Sequence, residues 1–89
     1  MYKYTYFTKD EIEARLSKIE GCGKVETWLT EGRDDILVKY GDGATRSVSA
    51  DKVAVKVSSN YDARAVVDCD EGMMVFPSEY DRDEYKARL

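Results

Sequence analysis

The densest set of side chains able to do work lies near the C-terminus, where Glu79, Asp81, Asp83 and Glu84 interleave with Tyr80 and Tyr85. Carboxylates attract a basic surface, and tyrosines supply rigid, half-apolar contact area. On a helix Glu79 and Asp83 share a face, as do Asp81 and Tyr85, because residues four apart are neighbours. Acidic residues also suit the first turn of a helix, so part of this run serves the helix itself. A second acidic group, Asp68, Asp70 and Glu71, puts three carboxylates within four positions. An oxygen-rich turn can hold Ca²⁺ or Mg²⁺, but this one lacks the twelve-residue register of an EF-hand loop. Both groups are therefore expected to form a docking face for another protein.

Other chemistries lack their residues. The chain has no histidine and two cysteines, Cys22 and Cys69. That excludes Ser-His-Asp and Cys-His catalytic sets. It also leaves structural zinc short of its usual four ligands. The two thiols are expected to be reduced, small, buried residues. Paired carboxylates can act as acid and base, but only in a cleft that separates their pKa values. A chain of 89 residues has little room for such a cleft. The expectation is a non-enzymatic protein with no metal and no cofactor.

A second candidate set is Trp28, Arg33, Tyr40 and Arg46. Two arginines can pair with an anionic group such as a nucleotide phosphate. A pocket between subunits would give a small chain the concavity this requires. Alternatively, Trp28 and Tyr40 would line a shallow groove for a peptide. The Gly41-Asp42-Gly43 triplet nearby is a hairpin bend rather than a phosphate cradle. Strand patterns flank it on both sides, whereas a phosphate loop feeds a helix.

Net charge is −4. Residues 1–60 balance ten Lys/Arg against ten Asp/Glu, and residues 61–89 hold four against eight, so the excess sits in the last third. Phosphate backbones attract Lys and Arg, which argues against nucleic acid as a direct partner and for a protein with a basic surface. The longest apolar run is Met73-Met74-Val75-Phe76, far short of the ~20 residues of a membrane span. The N-terminus has no secretory pattern, and the expected location is cytoplasmic.

The elements that must carry these groups are read from spacing. Tyr2, Tyr4 and Tyr6 alternate as a short strand or arm. Thr8 and Glu11 form a capping box, with Phe7 and Ile12 as its hydrophobic staple. Ile12, Leu16 and Ile19 recur at helical spacing as a core stripe, and Gly21 stops the run, giving a helix over 9–20. Its opposite face, Asp10, Glu13, Arg15 and Lys18, is expected to be solvated. Residues 24–30, Ile36–Tyr40 and Thr45–Val48 alternate as strands. Ser49-Ala50-Asp51 reads as a corner, and Val53, Val55 and Val57 as the clearest strand of all. Arg64–Asp68 and Met73–Phe76 form a further hairpin. Ser78 and Asp81 start a terminal helix over 79–88. The fold class is α+β in a single domain: a small antiparallel sheet or partly open barrel with helices at both ends.

The stretch Ile36–Val57, with strand, GDG turn, strand, corner and further strand, resembles the middle of SH3-like and Tudor-type barrels. That resemblance implies a peptide-recognising accessory module built on Trp28 and Tyr40. In size and charge the chain is also similar to phage-encoded inhibitors of host defence, including anti-CRISPR proteins. The function this implies is occupation of a basic groove in a nuclease or another nucleic-acid-binding protein.

Overall fold

The computed structural model describes residues 3–89. Tyr2 of the tyrosine alternation lies outside the described residues. The chain order is β1 (Thr5–Thr8), α1 (Lys9–Glu20), β2 (Val25–Trp28), β3 (Asp35–Tyr40), β4 (Thr45–Ser49), α2 (Ala50–Ser58), β5 (Arg64–Cys69), β6 (Gly72–Phe76) and α3 (Glu79–Ala87). The fold is α+β, with two open three-stranded antiparallel sheets, and neither closes into a barrel.

The first sheet runs β1-β6-β5 and the second β2-β3-β4. The N-terminal strand thus joins its own chain's sheet, with Phe7 opposite Met73 and Tyr6 opposite Met74. α1 begins as its sequence requires. Thr8 caps it, Glu11 reaches back to close the box, and Gly21 ends it in the left-handed region. The inner faces of both sheets enclose one core with Ile12 and Leu16 of α1 and Val53, Ala54 and Val57 of α2. Ile19 is not part of it and stands 52% exposed. α3 lies outside this core. It packs on the far face of the first sheet, where the ring of Tyr85 meets Phe76 at 5.3 Å. No helix among the described residues is long and apolar enough to cross a membrane.

One element differs from its sequence reading. Residues 50–58 are a helix, not a corner followed by a strand. Val53, Val55 and Val57 fit a period of two, but Ala50, Val53, Ala54 and Val57 fit a helical stripe, and those four are buried. Ser49 caps the helix through its hydroxyl, which accepts the Asp51 N–H. The small alanines let the helix lie close against the sheets, which β-branched residues throughout would not allow. This helix also removes the strand that an SH3-like barrel would use to close.

Candidate functional site

The acidic residues fall into two groups that the fold treats differently. α3 begins at the Phe76 end of β6, while Asp68, Asp70 and Glu71 sit at the hairpin tip near its Gly72 end. The two groups do not form one surface along the strand.

On α3 most charges are already engaged. Ser78 donates its hydroxyl to Asp81 at 2.8 Å, and the Asp81 N–H donates back to Ser78. Arg82, with a mostly buried side chain, bonds both carboxylate oxygens of Asp51 at 3.0 Å and lies 2.6 Å from Asp83 and 3.9 Å from Glu79. Burial, which disfavours the charged guanidinium, is outweighed by its bonds to Asp83 and Asp51, so its pKa rises. Arg88 approaches Glu84 at 3.7 Å, and Tyr85 is packed on Phe76. Tyr80 alone of the predicted anchors stands well exposed.

The hairpin tip is different. Asp68, Asp70 and Glu71 are exposed, and β1 and the start of α1 bring Asp10 beside them. The link is a backbone bond in which the Lys9 N–H donates to the Glu71 carbonyl at 2.6 Å. Thr8, Lys9, Asp10, Asp70 and Glu71 line a shallow depression of about 350 Å³. Among the described residues, none of these four carboxylates takes part in an ion pair. No three of the described His, Cys, Asp or Glu side chains are grouped to hold a metal ion.

Tyr6 stands at the base of this tip. Its hydroxyl lies 3.6 Å from Cys69 Sγ, and its ring covers Gly72, where an added Cβ would fall 2.8 Å from the ring and 2.4 Å from the Phe7 carbonyl oxygen. Glycine is needed at 72 for this close approach. The Cys69 hydrogen bond, burial and the charges of Asp68 and Glu71 push the Tyr6 phenol up to about 12. Tyr6 is nonetheless 37% exposed. Sequence reading placed Tyr6 in a strand and Asp10 on a solvated helix face. Neither was linked to the acidic turn, because the link is a strand pairing across more than sixty residues. Cys69 and Cys22 are free thiols, half-buried rather than buried.

The second candidate set does not converge. Trp28 pairs with Leu37 and Tyr40 with Val25, which puts Trp28 and Tyr40 on opposite faces of the second sheet. Tyr40 is half-buried and packs against the core. Arg46 pairs with Val38 on that inner side and projects at the strand edge. Trp28 and Leu37, 44% and 46% exposed, lie side by side on the outer face. Arg33 joins them around a cavity of about 130 Å³ and bonds Asp35 at 3.3 Å. The Ser47 hydrogen bond, with Arg33 adding to it, holds the Asp35 carboxyl below its usual range. Gly41-Asp42-Gly43 is a turn between β3 and β4, closed by the Gly43 N–H donating to the Tyr40 carbonyl at 2.9 Å.

No protein-family model, curated protein or solved structure matches the chain.

Proposed function

We propose that this is a non-enzymatic protein-binding domain that docks through its acidic hairpin tip onto a basic protein surface. The observation that carries this reading is that Asp10, Asp70 and Glu71 line one depression while Asp68 and Glu71 lie near enough to Tyr6 to act on its phenol, all four carboxylates being without ion-pair partners among the described residues. Unpaired exposed carboxylates steer a positive partner toward them, and an anchored aromatic ring adds contact area at little entropic cost. The α3 acids, spent on Arg82, Arg88 and the Ser78 cap, contribute less, with Tyr80 as their exposed contact. A basic groove in a nuclease or another nucleic-acid-binding protein suits such a tip, and occupying it would make the domain an inhibitor.

The test is a tagged pull-down with the full chain after nuclease treatment, run beside the triple variant Asp10→Lys, Asp70→Lys, Glu71→Lys. A stoichiometric protein released by high salt, and absent with the variant, supports the reading. The same protein retained by a folded variant sinks it.

A further inference from the structure

The two sheets have four edges, and the chain treats them unequally. At β5 the Asp51 carboxylate accepts the Ala65 N–H at 2.9 Å, and the Gly32 N–H donates to the Val67 carbonyl at 3.3 Å. At β2 the Glu13 carboxylate accepts the Thr27 N–H at 2.7 Å. Helix-borne carboxylates thus cover one edge of each sheet. β1 is four residues long and runs straight into α1. β4 is the longer open edge. Its last residue is tied into the start of α2, where the Ser49 hydroxyl accepts the Asp51 N–H. Beyond the pairing with β3, no described residue bonds the backbone of Thr45–Val48.

The surface beside that edge is patterned. Trp28, Leu37 and Ser47 form one cross-strand row on the outer face. Ser47 is small, and its hydroxyl is turned to Asp35 at 2.6 Å, so the row is open beyond Leu37. On the other face, Arg46 has no carboxylate in ion-pair contact among the described residues. Its neighbour one strand in is the buried Val38, whereas Lys39, on the outer face, pairs with Glu26, which is itself bridged to Lys24 at 3.1 Å.

From this we infer that β4 receives an extended segment of a partner protein as a fourth strand. In that segment an apolar residue lies opposite Ser47, and an acidic residue lies opposite Arg46. Backbone bonds to an open edge give affinity, and alternate side chains give specificity. The apolar residue extends the Trp28–Leu37 row, and the acidic one meets the unbridged cation. This surface is separate from the acidic tip, so either assignment can fail while the other stands.

The test uses the full chain and two capped hexapeptides, one of alternating valine and glutamate and one of alternating valine and lysine, followed by amide NMR. The glutamate peptide is expected to shift the Thr45–Val48 amides and the Trp28 indole. Arg46→Glu should weaken its binding by roughly fivefold, the scale of one exposed charge contact. Leu37→Ser, on the same outer row, should weaken it too, with the dispersion of the remaining spectrum reporting that the fold is kept. No shifts at millimolar peptide, equal binding of the lysine peptide, or shifts confined to the hairpin tip would each overturn the inference. So would peptide-independent pairing of two copies through β4, seen as concentration-dependent shifts at the same amides.

Discussion

Glu13 of α1 holds Thr27 of β2 by two bonds at once, its Oε2 accepting the backbone N–H at 2.7 Å and the hydroxyl at 3.0 Å. Thr27 is fully buried, the one polar residue among the described residues to be so. A single carboxylate thus closes the edge of the second sheet, satisfies a buried hydroxyl and fixes the helix against the strand. Removing it leaves two buried donors without a partner. Glu13→Ala should cost ~2–3 kcal/mol in urea unfolding, since each orphaned donor carries a penalty of ~1–3 kcal/mol. Glu13→Gln keeps an acceptor and should cost less. Thr27→Val should show coupling with Glu13→Ala in a double-mutant cycle, and strict additivity would deny the contact.

Asp51 does the same at the edge of the first sheet, but shares itself with α3. It accepts the Ala65 N–H and both bonds from Arg82. Asp51→Ala leaves the Ala65 N–H without its acceptor and leaves the mostly buried Arg82 with Asp83 and the more distant Glu79 alone, and should destabilise by ~2 kcal/mol. Arg82→Met, which removes the charge and keeps the packing, should cost less, because replacing a buried ion with an apolar group of similar size is often mild. Chemical denaturation of both variants reads the difference.

The α2 helix makes a prediction that separates it from a strand. Val53 is fully buried while Val55 is half-buried and faces outward beside Tyr61. Val53→Ala should cost roughly 2 kcal/mol through the cavity it leaves. Val55→Ala should stay within ~0.5 kcal/mol, as alanine also favours the helix. Equal costs would indicate that both point the same way, as in a strand.

Which features were legible follows from how local their causes are. Capping and stop signals of α1 involve Thr8, Glu11 and Gly21, all in or directly flanking one helix, and they read true. So did the GDG bend and the β5–β6 hairpin. The period-two valines of 53–57 misled because Val55 has a tertiary environment that no spacing reveals. The two alanines of α2 were the available signal. Glu13, expected to be solvated, is half-buried against Thr27, and Arg15 donates to the Val57 carbonyl at 3.1 Å. A mixed-charge helix face does not say which charges turn inward. Likewise the Ser78–Asp81 cap joins residues three positions apart and is readable, whereas Arg82 and Asp51 are 31 positions apart and their pairing is not.

Tyr6 gives the tip a spectroscopic reporter. A phenol raised from 10.0 to about 12 binds its proton more tightly in the folded state. Its stabilising effect is therefore complete below pH 10, and is lost as pH rises from there toward 12. Absorbance titration near 295 nm should show a late-ionising tyrosine that Tyr6→Phe removes. Cys69→Ala deletes the hydrogen bond that contributes most to the shift, and should move this step down toward 10. Neutralising Asp68 and Glu71 should move it by less. An unchanged step in Cys69→Ala would deny the Tyr6–Cys69 contact.

Docking through the hairpin tip is tested most directly by comparing two charge reversals against the partner recovered by the wild-type chain. One variant carries Asp10→Lys, Asp70→Lys and Glu71→Lys, and the other Glu79→Lys, Asp83→Lys and Glu84→Lys. Both are checked for folding by circular dichroism, then titrated by calorimetry at low and high salt. The hairpin-tip variant should lose at least ~100-fold in affinity along with most of its salt dependence, since contacts between a charged face and its complement are of this order for several charges together. A smaller loss is expected for the α3 variant. Unchanged affinity in a folded hairpin-tip variant, or a larger loss in the α3 variant, would rule out docking through the tip.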